Sequence, residues 1–262
     1  MPGIFLINKP KGITSHDVVN YLRRVTGEKT IGHAGTLDPL ASGLMIVAVG
    51  REFTRQISNF SKLDKTYLVE ATLGATSTTY DAEGVITPAR HSESSLRHPE
   101  LDSGSLAQIP DQVRNDGIAK PNQEKVNKTL QSFVGRQNQM PPIFSAKKIG
   151  GQKAYDLARQ GKPVELKAVP VNIYEIKLSE YHYPILKFST KVSSGTYIRS
   201  LVHDIGQKLG SGAYMSGLIR DSIGEFKLSE AMDLYQIKSL ADLHPHQLPL
   251  NKGESRGSII KS

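Results

Sequence analysis

Residues 4–8, IFLIN, form an unbroken apolar run that predicts a buried strand. Lys9-Pro10-Lys11-Gly12 ends it, because proline brings no backbone donor and glycine permits a turn. Ser15 then stands in N-cap position for a helix, HDVVNYLRRVT, with Val18, Leu22 and Val25 on one face and Gly27 at its end. Leu44–Val49 predicts a second buried strand, and Phe53 to Phe60 a short helix. KTYLVEATLG, 65–74, alternates Tyr67, Val69, Ala71 and Leu73 on one face, the mark of a half-buried strand. TSTTYDAEG reads as a polar turn. Val126, Leu130, Phe133 and Val134 recur at helical spacing, with Gly135 as the C-cap. PPIFSAKKIGG reads as a loop and QKAYDLARQG as a short helix closed by Gly161. VNIYEIKL and ILKFSTKV predict a strand pair. Ile198, Leu201, Val202, Ile205 and Leu209 make a helical stripe ended by Gly210, and AYMSGLIRDSIGEFKL returns to strands around a glycine turn. Strands and helices in this mixed order argue for an α+β or mixed α/β fold with antiparallel content.

Residues 86–123 break the pattern. They carry four prolines, many serines and little periodicity, which predicts a long, weakly ordered surface insertion. Its four basic and five acidic groups add nothing to a basic surface. The tail from about Leu250 predicts a frayed end.

Composition narrows the chemistry. The 262 residues hold no cysteine, which excludes disulfides, thiolate catalysis and Cys-ligated metal sites. The eight histidines show no paired ligand spacing, so a metal site is not expected. No apolar stretch approaches the roughly 20 residues of a membrane helix. Lys and Arg number 33 against 25 Asp and Glu, and the net charge of +8 points to a polyanion such as nucleic acid.

Four places can carry function. GHAGTLDPLASG, 32–43, holds one acid, Asp38, among three glycines and a proline. A turn aspartate can simply bond its own backbone, or the rigid loop can present the carboxylate to a substrate. The loop is no phosphate cradle, for it lacks the P-loop ending and the dinucleotide spacing. Arg199 falls in the first turn of its helix, where a cation opposes the helix dipole by about 0.3–1 kcal/mol. It therefore calls for an anionic partner or bulk solvent, and Asp38 and Asp81 are the candidate carboxylates. Tyr67 sits on the apolar set of its strand, either as a core ring or as one that stacks on an unstacked base. Lys147, Lys148, Lys153, Arg159 and Lys162 lie in a glycine-flanked basic segment, either a solvated face or a set of phosphate contacts.

LINKPKGITSHDVV, GHAGTLDPLASGLMIVAVG, KTYLVEATLG with TTYDAEG, PPIFSAKKIGGQKAYDLARQG, SSGTYIRSLVHDIG and LIRDSIGEF occur in that order. Together, over most of 4–85 and 124–230, they closely resemble the TruB family of tRNA pseudouridine synthases. The resemblance implies the pseudouridine synthase fold: a mixed, mostly antiparallel sheet with flanking helices and a central catalytic cleft. It implies isomerisation of uridine 55 in the T-loop of tRNA, with no cofactor and no metal. By motif position, Asp38 matches the catalytic aspartate and Arg199 the arginine that salt-bridges it. Tyr67 matches the tyrosine that stacks on the target base and removes the C5 proton. Asp81 matches an aspartate of the same polar network, and Leu218 the leucine beneath the active site. His33 matches the histidine that stacks into the T-loop, while Lys9 and Pro10 belong to the loop that buttresses the Asp38 loop. The basic residues Lys147, Lys148, Lys153 and Arg159 are the expected RNA contacts.

The expected organisation is a catalytic domain over 1–249, including the 86–123 insertion, then a short tail over 250–262. The small RNA-binding domain of the PUA type that many bacterial members carry is expected to be absent or vestigial. The expected setting is a cytoplasmic monomer acting on the tRNA T-stem-loop, with no membrane. Two other readings stay open: an RNA-binding or tRNA-folding protein without turnover, and a related synthase acting on a different RNA.

Overall fold

The structure is a computed structural model and describes residues 2–89, 120–145, 148–149, 152–153 and 166–246. In chain order the strands are β1 (Gly3–Lys9), β2 (Ile31–His33), β3 (Ser42–Val49), β4 (Lys65–Leu73), β5 (Ala75–Ser77), β6 (Ile86–Pro88), β7 (Gly135–Gln139), β8 (Lys148–Ile149), β9 (Gln152–Lys153), β10 (Val169–His182), β11 (Ile185–Val192), β12 (Ala213–Ile223), β13 (Phe226–Lys227) and β14 (Met232–Asp233). The helices are α1 (Ser15–Thr26), α2 (Arg51–Thr54), α3 (Ile57–Ser61), α4 (Gln123–Gln131) and α5 (Ile198–Leu209). The chain forms two compact units, Met1–Thr66 with Ile219–Ser262, and Tyr67–Leu218.

In the first unit β3 is the central strand. β1 runs antiparallel along its whole length, from Gly3 opposite Val49 to Lys9 opposite Gly43. The other edge is shared by β2, antiparallel at Val47 to Val49, and by the end of β12, parallel at Ser42 and Gly43. β14 adds to β1 in parallel. Seven of the eight β3 residues are buried, as a strand covered on both faces requires. Its Leu44, Ile46 and Ala48 pack with Ile4, Leu6, Ile223 and Phe226, and Phe53, Ile57, Phe60 and Leu63 close over them. The expected helix across Phe53–Phe60 is two short ones, α2 and α3, broken at Arg55-Gln56. The cap of α1 is Thr14 rather than Ser15: its hydroxyl accepts from the Asp17 amide, and the Asp17 carboxylate accepts from the Thr14 amide at 2.8 Å. Ser15, freed of capping, points elsewhere. Gly27 ends the helix in the left-handed conformation, as read.

The second unit is built on the strand order β12-β4-β11-β10-β7. β10 and β11 form the expected antiparallel pair, and β7 extends it on the far side of β10. The alternation in β4 is as read, with Tyr67, Val69, Ala71 and Leu73 buried. α5 starts at Ile198 and ends at Gly210, also as read. α4 stops four residues before Gly135. Phe133 and Val134 continue in a tighter turn, donating to Leu130 and Gln131, while Gly135 pairs with Ile173 as the first residue of β7. A periodic apolar pattern persists through such a turn, which is why the helix looked longer.

Both flanks of the 86–123 segment are structured. Ile86–Pro88 forms β6 and pairs with β5, so TSTTYDAEG is the tip of a hairpin, and α4 begins at Gln123. Residues 90–119 of that segment lie outside the described residues, as do 247–262. β8, within the expected loop, pairs antiparallel with β9, which follows it. The expected helix at 152–161 begins with β9, and its remainder lies outside the described residues.

Candidate active site

In the first unit the Asp38 loop is held by main chain on both sides. Lys9, fully buried, turns its ammonium back to donate to the carbonyls of Pro10 (3.0 Å) and Ile13 (2.7 Å), which shapes the turn after β1. From that turn the Gly12 amide donates to the Pro39 carbonyl at 2.8 Å. Ser15 Oγ receives the Leu37 amide at 2.8 Å and donates to the Leu37 carbonyl at 3.1 Å. The residues on either side of Asp38 are thus tied, one to the start of α1 and one to that turn, and the Asp38 carbonyl accepts from the Ala41 amide at 3.0 Å. Asp38 itself is half-buried. Lys9 and Pro10 stand where the buttress was expected, and the two polar groups that do the holding are Lys9 and Ser15.

Two cations missed in the sequence sit beneath this loop. Arg220, 1% exposed, donates from Nε to Leu44 O at 2.7 Å and from Nη2 to Gly35 O at 3.1 Å. Its own backbone lies against Gly43, where a Cβ would stand 2.5 Å from Arg220 O, and Gly43 has φ +110°. That glycine is required both by contact and by conformation. Lys65, also buried, donates to Ser61 O at 2.9 Å and Leu63 O at 2.5 Å. Burial pushes its pKa down to about 8, with Arg220 adding to the effect. One signal was available: Arg220 lies two residues from Leu218 in the sequence of one strand, a parity that gives both the same face. His33 lies in β2 opposite Val47, and its Nδ1 is buried without a hydrogen-bond partner among the described residues. Burial lowers its pKa, the Arg220 and His16 charges add to this, and the Gly35 backbone opposes it, so the neutral ring is favoured.

The second unit holds Tyr67, Asp81, Arg199 and Leu218. Arg199, 7% exposed, forms an ion pair with Asp81 at 3.3 Å. It also donates to the carbonyls of Thr79 and Phe144 at 3.1 Å each. Of the two carboxylates considered for it, Asp81 is one partner in this unit. Asp81, 2% exposed, accepts from the Thr79 hydroxyl at 2.5 Å and the Glu83 amide at 3.0 Å through Oδ1. The planar guanidinium fixes direction as well as charge, for its nitrogens meet the Asp81 carboxylate and two carbonyls at once. α5 is held at its start by Gln139: its side-chain amide donates to Tyr197 O at 3.0 Å, and its carbonyl accepts from Tyr197 N at 2.8 Å. Ser200 Oγ donates to Met140 O at 2.8 Å. Tyr67 and Leu218 are buried, on β4 and β12. Tyr80, beside Asp81, has φ +65°, a conformation that costs a bulky residue on the order of 1–3 kcal/mol.

Of the expected RNA contacts, Lys148 and Lys153 belong to the β8–β9 hairpin by their backbone, and Lys147 and Arg159 lie outside the described residues. Among the described residues no group of His, Asp or Glu side chains is arranged to hold a metal ion. No helix among them is long and apolar enough to cross a membrane.

Residues 23–113 and 107–198 match the family model for the N-terminal domain of TruB family pseudouridylate synthase, and residues 199–250 that for the tRNA pseudouridylate synthase B C-terminal domain. The tRNA pseudouridine synthase B of Protochlamydia amoebophila is 41% identical over 243 residues, covering 93% of this chain and 82% of that protein. That of Mycoplasma mobile is 40% identical over 266 residues, covering 99% and 83%. A chain in the crystal structure of a Cbf5-Nop10-Gar1 complex has the same fold, with a TM-score of 0.63 and 26% identity over 89% of this chain. This chain spans about half of that one, 52%.

Proposed function

The chain belongs to the TruB family of pseudouridylate synthases, and we propose that it converts uridine 55 in the T-loop of tRNA to pseudouridine, with Asp38 as the nucleophile. The observation that supports this best is the Asp38 loop, whose main chain is bonded at Pro39 to the turn that Lys9 shapes and at Leu37 to Ser15 at the start of α1. A carboxylate on a loop held at both neighbours loses little freedom when a substrate arrives, which is the condition for efficient attack.

The reaction breaks the C1′–N1 bond, turns the uracil, joins C1′ to C5, releases the C5 proton and returns a proton to N1. Atoms and charge balance without an outside oxidant or reductant. Asp38 attacks at C1′ or at C6. Tyr67 stacks on the uracil and takes the C5 proton. Arg199 and Asp81 form the site's buried polar anchor, with Leu218 as apolar packing. The target base must leave its stack, at a cost of a few kcal/mol. His33 stacks into the T-loop, and contacts to the tRNA backbone from the basic segment with Lys147, Lys148, Lys153 and Arg159 offset that cost.

The test is tritium release from tRNA carrying 5-³H-uridine, with wild type and Asp38→Asn compared and the product mapped on a T-stem-loop minihelix. Release by the wild type alone, with pseudouridine at position 55, is the expected result. Binding of tRNA with no release by the wild type would refute the proposal in favour of a tRNA-binding role.

A further inference from the structure

Helix α5 grips the 79–81 turn at two points, one helical turn apart. Arg199 takes the Thr79 carbonyl at 3.1 Å and the Asp81 carboxylate at 3.3 Å. Four residues on, His203 lies flat against Tyr80, with ring centroids 4.0 Å apart and planes inclined by 15°. Positions four apart share a helix face, so both grips come from one side of α5. Between the two anchored neighbours Tyr80 holds a left-handed backbone, φ +65°, alone in this among the described non-glycine residues. A bulky residue keeps that conformation only where its surroundings over-determine it. The main chain is bonded as well: Tyr80 N donates to Ser77 O at 3.1 Å, Met215 N to Tyr80 O at 3.0 Å, and Ala82 N to Met215 O at 3.0 Å. These bonds fix the turn on the β12 side, and the ring stack fixes it on the α5 side.

We infer that the Tyr80–His203 stack is a positioning device, which holds the left-handed turn at Tyr80 and thereby sets the Asp81 carboxylate on Arg199. Tyr80 and His203 are positioning residues that act through Asp81 and Arg199, and the inference rests on the role proposed for Arg199. His203 meets Tyr80 with its ring face, and its Nδ1 is buried with no hydrogen-bond partner among the described residues. A phenyl ring should therefore serve in its place. Both rings are half-buried, so truncating one leaves a folded chain to measure.

The experiment compares wild type, His203→Phe, His203→Ala and Tyr80→Ala on a T-stem-loop minihelix, with kcat and Kd measured separately. The alanine variants should lose about tenfold in kcat with Kd unchanged within about twofold, and His203→Phe should stay within about twofold of wild type in both. An alanine variant at wild-type kcat, or His203→Phe as slow as His203→Ala, would overturn the inference. A crystal structure of His203→Ala tests it independently of activity. Tyr80 should leave the left-handed region and Asp81 should move off Arg199. An unchanged turn would overturn the inference whatever the wild type catalyses, whereas an inactive wild type with a shifted turn would overturn only the synthase reading.

Discussion

Ser15 and Leu37 exchange two hydrogen bonds: the Leu37 amide donates to Ser15 Oγ at 2.8 Å, and the same hydroxyl donates to the Leu37 carbonyl at 3.1 Å. One side chain on the first residue of α1 thus satisfies both main-chain polar groups of Leu37, the residue before Asp38. Ser15→Ala should strand both in a buried place, at a cost of about 1–3 kcal/mol in urea unfolding. Turnover should fall by about tenfold or more through a displaced Asp38, with tRNA affinity retained. A variant as active as wild type would mean that the loop needs no such anchor.

Arg199 and Asp81 are coupled by burial. Arg199→Ala should cost about 3–5 kcal/mol, because it leaves the Asp81 charge buried beside fewer donors. Arg199→Ala with Asp81→Asn should cost less than the two single changes added, since the stranded charge is gone. A double-mutant cycle in urea checks this, and simple additivity would contradict it. Arg199→Lys should not restore turnover, because an ammonium cannot reach Thr79 O, Phe144 O and Asp81 together in the guanidinium geometry.

Gly43→Ala should be among the most damaging single-methyl additions in the first unit. The new Cβ would meet Arg220 O at 2.5 Å and Arg220 N at 2.7 Å, on a backbone with φ +110°. The expected loss is about 3 kcal/mol or more, read as a lowered urea midpoint.

Lys65 makes stability depend on pH in the alkaline range. Burial lowers its pKa to about 8, against 10.5 for the free side chain. Between those values the unfolded chain holds the proton and the folded chain does not, so stability rises with pH across that window. Below about pH 8 both states hold it, and the cost of the buried charge is carried in full. Urea midpoints at pH 7.5 and 9.5 should therefore rise more for wild type than for Lys65→Met. An equal rise in both would show that Lys65 does not titrate in that window.

Much of this protein was legible along the chain. The spans of β1, β3, β4, α1, α5 and the β10–β11 pair followed from periods of two and 3.6 with glycine stops, because such patterns report geometry within a few residues. Asp38, Tyr67, Arg199 and Asp81 stood out along the chain as candidates, since rigid turns and special side chains cluster in short segments. The end of α4 was not, because Gly135 is claimed by pairing with Ile173, a residue far away in sequence. Ser15 read as a cap by position alone, and only the approach of Leu37 gives its hydroxyl a different task. Arg199 called for an anion or for bulk solvent, and the contact with Asp81 depends on the 79–81 turn lying beside α5, 120 residues from Arg199 at Thr79. Arg220 and Lys65 were not singled out in the sequence, and only folding carries them beneath the Asp38 loop, with Arg220 reaching a carbonyl 176 residues away. Sequence determined the local elements and named the candidate groups. Tertiary structure decided which buried charge meets which partner, because desolvation makes that choice only once distant segments have packed together.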